Sequence, residues 1–127
     1  MTPEQLAKSG TEHGHQAALF CWRALNVGTY PELEWFHAIK NEEKSGSVIL
    51  GSRAKAAGIK KGVSDCFLPV RRGSCSGLYI EMKKPGGKES TAQVEFGQFV
   101  MSQGFGYICC DHWEKARDTL ILYLQHK

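Results

Sequence analysis

Acidic residues are scarce where basic ones are dense. Between Arg53 and Lys88 the chain has only two carboxylates, Asp65 and Glu81, against nine lysines and arginines. This local excess says more than the net charge of +3 for the whole chain. A surface so poor in acid suits a polyanion, with affinity that falls as salt rises; the alternative is a scatter of solvated lysines. No apolar run approaches the roughly 20 residues of a membrane span, and residues 1–10 are polar, without the apolar stretch of a signal peptide. The five cysteines are odd in number, none is spaced Cys-x-x-Cys, and Cys109 and Cys110 are adjacent. That argues against a disulfide framework and against a zinc site. A reducing, cytoplasmic setting is the expectation. Internal repeats and low-complexity tracts are lacking.

What is present suits one globular domain over residues 1–127, with residues 1–10 as a flexible lead-in. The chain is 42% hydrophobic and 23% charged, ordinary for a packed core. A first helix is expected over residues 11–26. Its core face is either Ala18, Leu19, Trp22 and Leu25, or Ala17, Cys21 and Ala24. Residues 35–39 read as a short extended piece, 41–46 as a polar loop and 48–57 as a second helix closed by Gly58. Strands over 65–70 and 78–82 form a hairpin across a turn-rich connection. Ser90-x-x-Gln93 has capping-box form and opens a third helix that buries Val94, Phe96, Phe99, Val100 and Met101. Residues 106–110 are an apolar strand without alternation, expected to be central. Asp111-x-x-Glu114 reads as another capping box, opening a last helix with the stripe Ala116, Leu120 and Leu124. The order α-β-α-β-β-α-β-α predicts an α/β fold, a small mixed sheet flanked by helices.

Two strings carry the chemistry: Gly62-Val63-Ser64-Asp65 and Glu81-Met82-Lys83. Side chains two apart on a strand share a face, so Glu81 and Lys83 point the same way. Hairpin pairing brings Asp65 beside Glu81. Two carboxylates and an ammonium then converge where a hard divalent cation, Mg²⁺ or Mn²⁺, would be held against a phosphodiester. The bland alternatives are a surface Glu81–Lys83 pair worth under roughly 1 kcal/mol and an Asp65 that only caps a turn. His13 and His15 flank Glu12 at a spacing that puts them on different helical faces, so solvated histidines are expected. Trp22, Trp35 and Trp113 read as core or interface.

These residues resemble the VRR-NUC family, a branch of the PD-(D/E)XK nuclease superfamily, and in particular its small stand-alone bacteriophage members. The likeness rests on Glu12 with Gln16, the stretch from Arg53 through Gly58-Ile59-Lys60-Lys61-Gly62, Gly62-x-x-Asp65, Glu81-x-Lys83, Ser90-x-x-Gln93 and the strand from Gly104 to Asp111. It departs from the family's usual pattern at Ser64, where proline is common, and at Lys40-Asn41-Glu42. The resemblance implies a restriction-endonuclease-like core and a metal-dependent endonuclease of branched DNA, with four-way (Holliday) junctions the best match, acting as a homodimer. Flap or fork cleavage and an inactive DNA-binding module are the alternatives.

By the same resemblance Asp65 and Glu81 bind the metal, together with the backbone oxygen of Met82. Glu12 binds it directly or through water, or supports a second ion. Lys83 contacts the attacking water and the phosphate, and Gln93 orients Lys83 or the water. Arg53, Lys60, Lys61, Arg71, Arg72, Lys84 and Lys88 are candidate DNA contacts.

Overall fold

The computed structural model describes residues 1–40 and 56–127. The loop expected over 41–46, most of the helix over 48–57, and Arg53 lie outside them. Where the sequence suggested a flexible lead-in, Pro3–Ala7 form helix α1. Pro3 at the first helical position and a reciprocal cap between Thr2 and Gln5 hold it, satisfying N–H groups a helix start leaves bare.

Helix α2 spans Glu12–Asn26, with the Thr11 hydroxyl accepting from the Gly14 N–H at 2.9 Å. Ala18, Leu19 and Trp22 are buried, the first of the two expected faces, but Leu25 is 72% exposed. It lies in the last turn, where the following segment takes over the core: Leu33 and Phe36 are both fully buried. That segment begins as a 3₁₀ turn, Pro31–Trp35, and only then becomes strand β1, His37–Ala38. Pro31 presets the tight turn, so Trp35 belongs to it rather than to an extended piece.

The sheet runs β1-β2-β3-β4, with β2 at Cys66–Leu68, β3 at Leu78–Met82 and β4 at Gly106–Cys110. β1 pairs antiparallel with β2, and β2 antiparallel with β3 through Cys66↔Ile80 and Leu68↔Leu78. β3 and β4 are parallel, from Leu78↔Gly106 to Met82↔Cys110. The crossover between them is helix α3, Thr91–Ser102. Helix α4, Trp113–Gln125, follows β4.

Among the described residues β4 is an edge strand, not the central one that its uniform hydrophobicity suggested. Burial of both faces removes polar alternation just as a central position would. Its core face lies with Leu78, Ile80 and Met82 against α2 and α4, whose stripe Ala116, Leu120 and Leu124 is buried as expected. Its other face lies under α3, where Gly97 meets the Tyr107 ring so closely that a Cβ would sit 2.7 Å from it.

The α3 capping box forms as expected: the Gln93 N–H donates to the Ser90 hydroxyl at 3.2 Å, and the Ser90 N–H donates to the Gln93 side-chain oxygen at 2.8 Å. Its burial is narrower than expected. Val100 is buried and Phe96 packs edge-on against Tyr79, but Val94, Phe99 and Met101 are exposed. A helix over one side of a small sheet covers only a narrow stripe.

The second expected box fails. His112 is the N-cap of α4, without a side-chain cap bond. The Asp111 carboxylate turns instead to Lys115 at 2.7 Å and to the Gly86 N–H at 3.3 Å. The cap comes from α2: His15 is buried, and its Nδ1 accepts the Trp113 N–H at 3.1 Å. His15 is thus a core acceptor, not a solvated side chain; His13 alone is exposed. No helix of the described residues is long and apolar enough to cross a membrane.

Candidate functional site

Gly62, Val63 and Ser64 bring the chain onto the sheet. Gly62 has φ +90° and lies against the Ala92 backbone, where a Cβ would come within 2.5 Å, so only glycine fits both the conformation and the contact. Ser64 is 1% exposed and its hydroxyl has no partner among the described residues. Continuing the β2–β3 register one residue beyond Cys66↔Ile80 sets Asp65 opposite Glu81.

The two acids are cross-tied. The Asp65 N–H donates to a Glu81 carboxylate oxygen at 3.1 Å, and the Met82 N–H donates to Asp65 Oδ2 at 2.9 Å. The N–H and C=O of one residue in a strand lie on the same edge. The Met82 carbonyl is therefore directed to the Asp65 side, while the Met82 side chain is fully buried in the core. The Lys83 ammonium lies 3.9 Å from Glu81 Oε1, on the face they share. Gln93 donates to Glu81 Oε1 from the first turn of α3. Its amide can face only one way, because its oxygen is taken by the Ser90 N–H. It is both a cap and a contact to the acid pair.

Glu81 is 1% exposed. Burial, reinforced by the Asp65 charge and opposed by Lys83, pushes its pKa up to about 8. Two carboxylates pressed together in a low-dielectric site repel, and a bound cation would relieve that repulsion. Two carboxylates and a carbonyl are also the hard oxygen donors that Mg²⁺ or Mn²⁺ takes, so the residues fit such an ion. Cys66 and Cys109 border the site. Burial and nearby carboxylates push their thiols up, Cys109 to about 12, so both stay protonated and weakly ligating.

Other expected residues fall elsewhere. Glu12 is half-buried at the start of α2. No group of three or more His, Cys, Asp or Glu side chains able to hold a metal forms among the described residues, so the structure does not add Glu12 to the pair. Lys60, Lys61, Lys84 and Lys88 are exposed, the first two just ahead of Asp65 and the others just beyond Lys83. Arg71 and Arg72 follow the opposite end of β2. Arg72 is committed to Glu32 and to the Leu124 carbonyl, and Arg71 donates to Ser76 at 3.3 Å; both serve the hairpin tip, away from the acids.

Sequence reasoning missed Glu89 and Tyr107. The Tyr107 hydroxyl donates to Glu89, and Tyr107 stands on the same sheet face as Glu81. Burial and Glu89 raise the Tyr107 pKa, so the hydroxyl stays a donor. The β3–β4 register was the missing signal.

The model of the VRR-NUC domain matches residues 2–113. This chain belongs to the VRR-NUC family. A solved structure described as a VRR_NUC domain protein has the same fold, with a TM-score of 0.62 at 20% identity over 73% of this chain and 69% of that one. No curated protein matches the sequence. Membership makes this VRR-NUC chain a nuclease-type domain, for which DNA is the implied partner.

Proposed function

We propose that this VRR-NUC domain is a metal-dependent, structure-selective DNA endonuclease, with four-way junctions as its preferred substrate and a two-fold dimer as its working form. The observation that carries this reading is the meeting of Asp65, Glu81, Lys83 and Gln93 at one end of the β2–β3 hairpin. Asp65, Glu81 and the Met82 carbonyl would hold Mg²⁺ or Mn²⁺. When bound, the ion supplies Lewis acidity and a water of lowered pKa.

The chain's own residues do the rest. Lys83 presents its ammonium beside the acid pair, where it neutralises phosphate charge and takes part in moving the water's proton. Gln93 fixes the rotamer of Glu81. Lys60, Lys61, Lys84 and Lys88 meet backbone phosphates, which position a duplex without reading its sequence. Glu12 would reach the ion directly or through water, or support a second ion. A phosphate backbone suits a protein whose candidate contacts are basic, exposed and flank the site residues in sequence. Two cuts in opposite strands call for two sites related by symmetry.

The test is a panel of synthetic four-way junctions, flaps, forks and linear duplex, cut with Mg²⁺ or Mn²⁺ and compared with Asp65→Ala. Junction cleavage that Asp65→Ala abolishes supports the proposal. Preferred flap or fork cleavage replaces its substrate. Binding without cutting of any arm, by folded protein, replaces the enzyme with a binding module.

A further inference from the structure

Between β3 and α3 the chain makes a basic loop, residues 84–89. Lys84 and Lys88 are exposed on it, and Glu89 is its only acid. The loop opens on a tight turn. Pro85 and Gly86 take the two central positions, Gly86 has φ +79°, and the Gly87 N–H donates to the Lys84 carbonyl at 2.8 Å. That is the pattern of a type II turn, which favours glycine at its third residue. The turn folds back on Lys83: a Cβ at Gly87 would lie 3.3 Å from the Lys83 Cβ.

None of the loop residues is buried, so packing alone does not hold them to the sheet. Two hydrogen bonds do. At the middle of the loop the Gly86 N–H donates to Asp111 Oδ2 at 3.3 Å. At its end Glu89 accepts the Tyr107 hydroxyl, which also lies 3.5 Å from the Gln93 carbonyl. Tyr107 shares a sheet face with Glu81, and strand alternation carries that face on through Cys109 to Asp111. The two holds thus come from one face of one strand, on either side of the Cys109↔Glu81 pair. Neither is part of the core. The Tyr107 ring packs against Gly97 through its carbon atoms, and Asp111 gives α4 no cap.

Resting on the reading of this domain as DNA-binding, we propose that Tyr107 and Asp111 are positioning residues: they clasp the 84–89 loop to β4 and so keep Lys84 and Lys88 at the Lys83 end of the site, ready to meet phosphate. A lysine on a backbone already fixed has less freedom to lose when it binds. The clasp also occupies the loop's one carboxylate with a phenol, on the β4 side. Glu89 therefore serves DNA binding although it has the charge that phosphate repels.

Anisotropy of a labelled linear duplex in EDTA tests it. Charge alone predicts that losing an acid from a basic loop tightens binding. The clasp predicts the opposite sign for Glu89→Ala, a loss of about three- to tenfold, the worth of one hydrogen bond. Glu89→Gln keeps an acceptor for Tyr107 and drops the charge, so it should bind at least as tightly as the wild type. Tyr107→Phe should match Glu89→Ala. Neither should weaken binding further once Lys84 and Lys88 are both alanine, because the clasp acts through those lysines. The Glu89 variants lie outside the sheet and decide the question should Tyr107→Phe disturb α3. Tighter binding by Glu89→Ala overturns the proposal, as does an equal loss in the Lys84→Ala/Lys88→Ala background, or a wild type that does not bind the duplex. With Mg²⁺ added, a protein that shows the clasp but cuts no junction leaves it standing and removes the endonuclease. Cleavage with unchanged duplex affinity in every variant does the reverse.

Discussion

Gln93 donates to Glu81 with an amide whose direction is already set by the Ser90 N–H. One side chain thus closes the start of α3 and holds a buried acid of the candidate site. Helix register and carboxylate position are mechanically linked, and much of the site's behaviour should follow from that link.

Replacing Gln93 separates its two tasks. Gln93→Ala loses the cap bond and the contact to Glu81, and should destabilise the domain by about 1 kcal/mol. Gln93→Glu keeps the cap acceptor but sets a third carboxylate against the pair. Its cleavage rate should fall more than its melting temperature does. Denaturation curves run beside single-turnover rates check both.

Asp65→Ala and Lys83→Ala should each lower the cleavage rate by about 10²–10⁴-fold with little loss of fold. Asp65→Ala relieves the charge pressing on Glu81, so its melting temperature in EDTA should not fall. Rates on a junction substrate and calorimetric scans together decide.

Metal should stabilise the wild type without any substrate. At a hundredfold excess over Kd, ligand linkage amounts to about 2.7 kcal/mol. Mn²⁺ or Mg²⁺ is expected to raise the melting temperature of the wild type and leave Asp65→Ala unmoved. An equal shift in both would mean binding elsewhere.

Acid should loosen the α2–α4 junction through His15. Burial, then the neighbouring His112, lowers its pKa, with weaker opposition from Glu114 and Asp111. The Trp113 N–H at Nδ1 requires the neutral ring. A depressed folded-state pKa makes this stability complete above the unfolded value of 6.5 and lost as pH falls through the folded one. Stability should therefore drop below pH 6.5, with a slope of at most about 1.4 kcal/mol per pH unit. His15→Gln, which can still accept the bond, should flatten that slope. Melting curves from neutral to mildly acidic pH report it.

Among the described residues, Ser64 carries a buried hydroxyl without a hydrogen-bond partner. Ser64→Ala removes a buried hydroxyl without a partner and should stabilise the domain by about 1 kcal/mol, leaving cleavage rates unchanged. Chemical denaturation of the two proteins measures it.

Local pattern was enough for much of this molecule. The Ser90 cap, the stripe on α4, the β2–β3 hairpin and the parallel crossover follow from short-range rules of capping, periodicity and handedness. The pairing of Asp65 with Glu81 was legible because hairpin register is itself local. The sequence determined that two acids and a lysine would meet amid basic residues. Tertiary structure decided what surrounds them. It gave the cap of α4 to His15, 98 residues before Trp113, and turned Asp111 to Gly86 and Lys115. Among the described residues it also put β4 at an edge and left Val94 and Met101 exposed. Such partners are chosen by packing between elements far apart in the chain, and periodicity within one element contains no information about which neighbour will cover it.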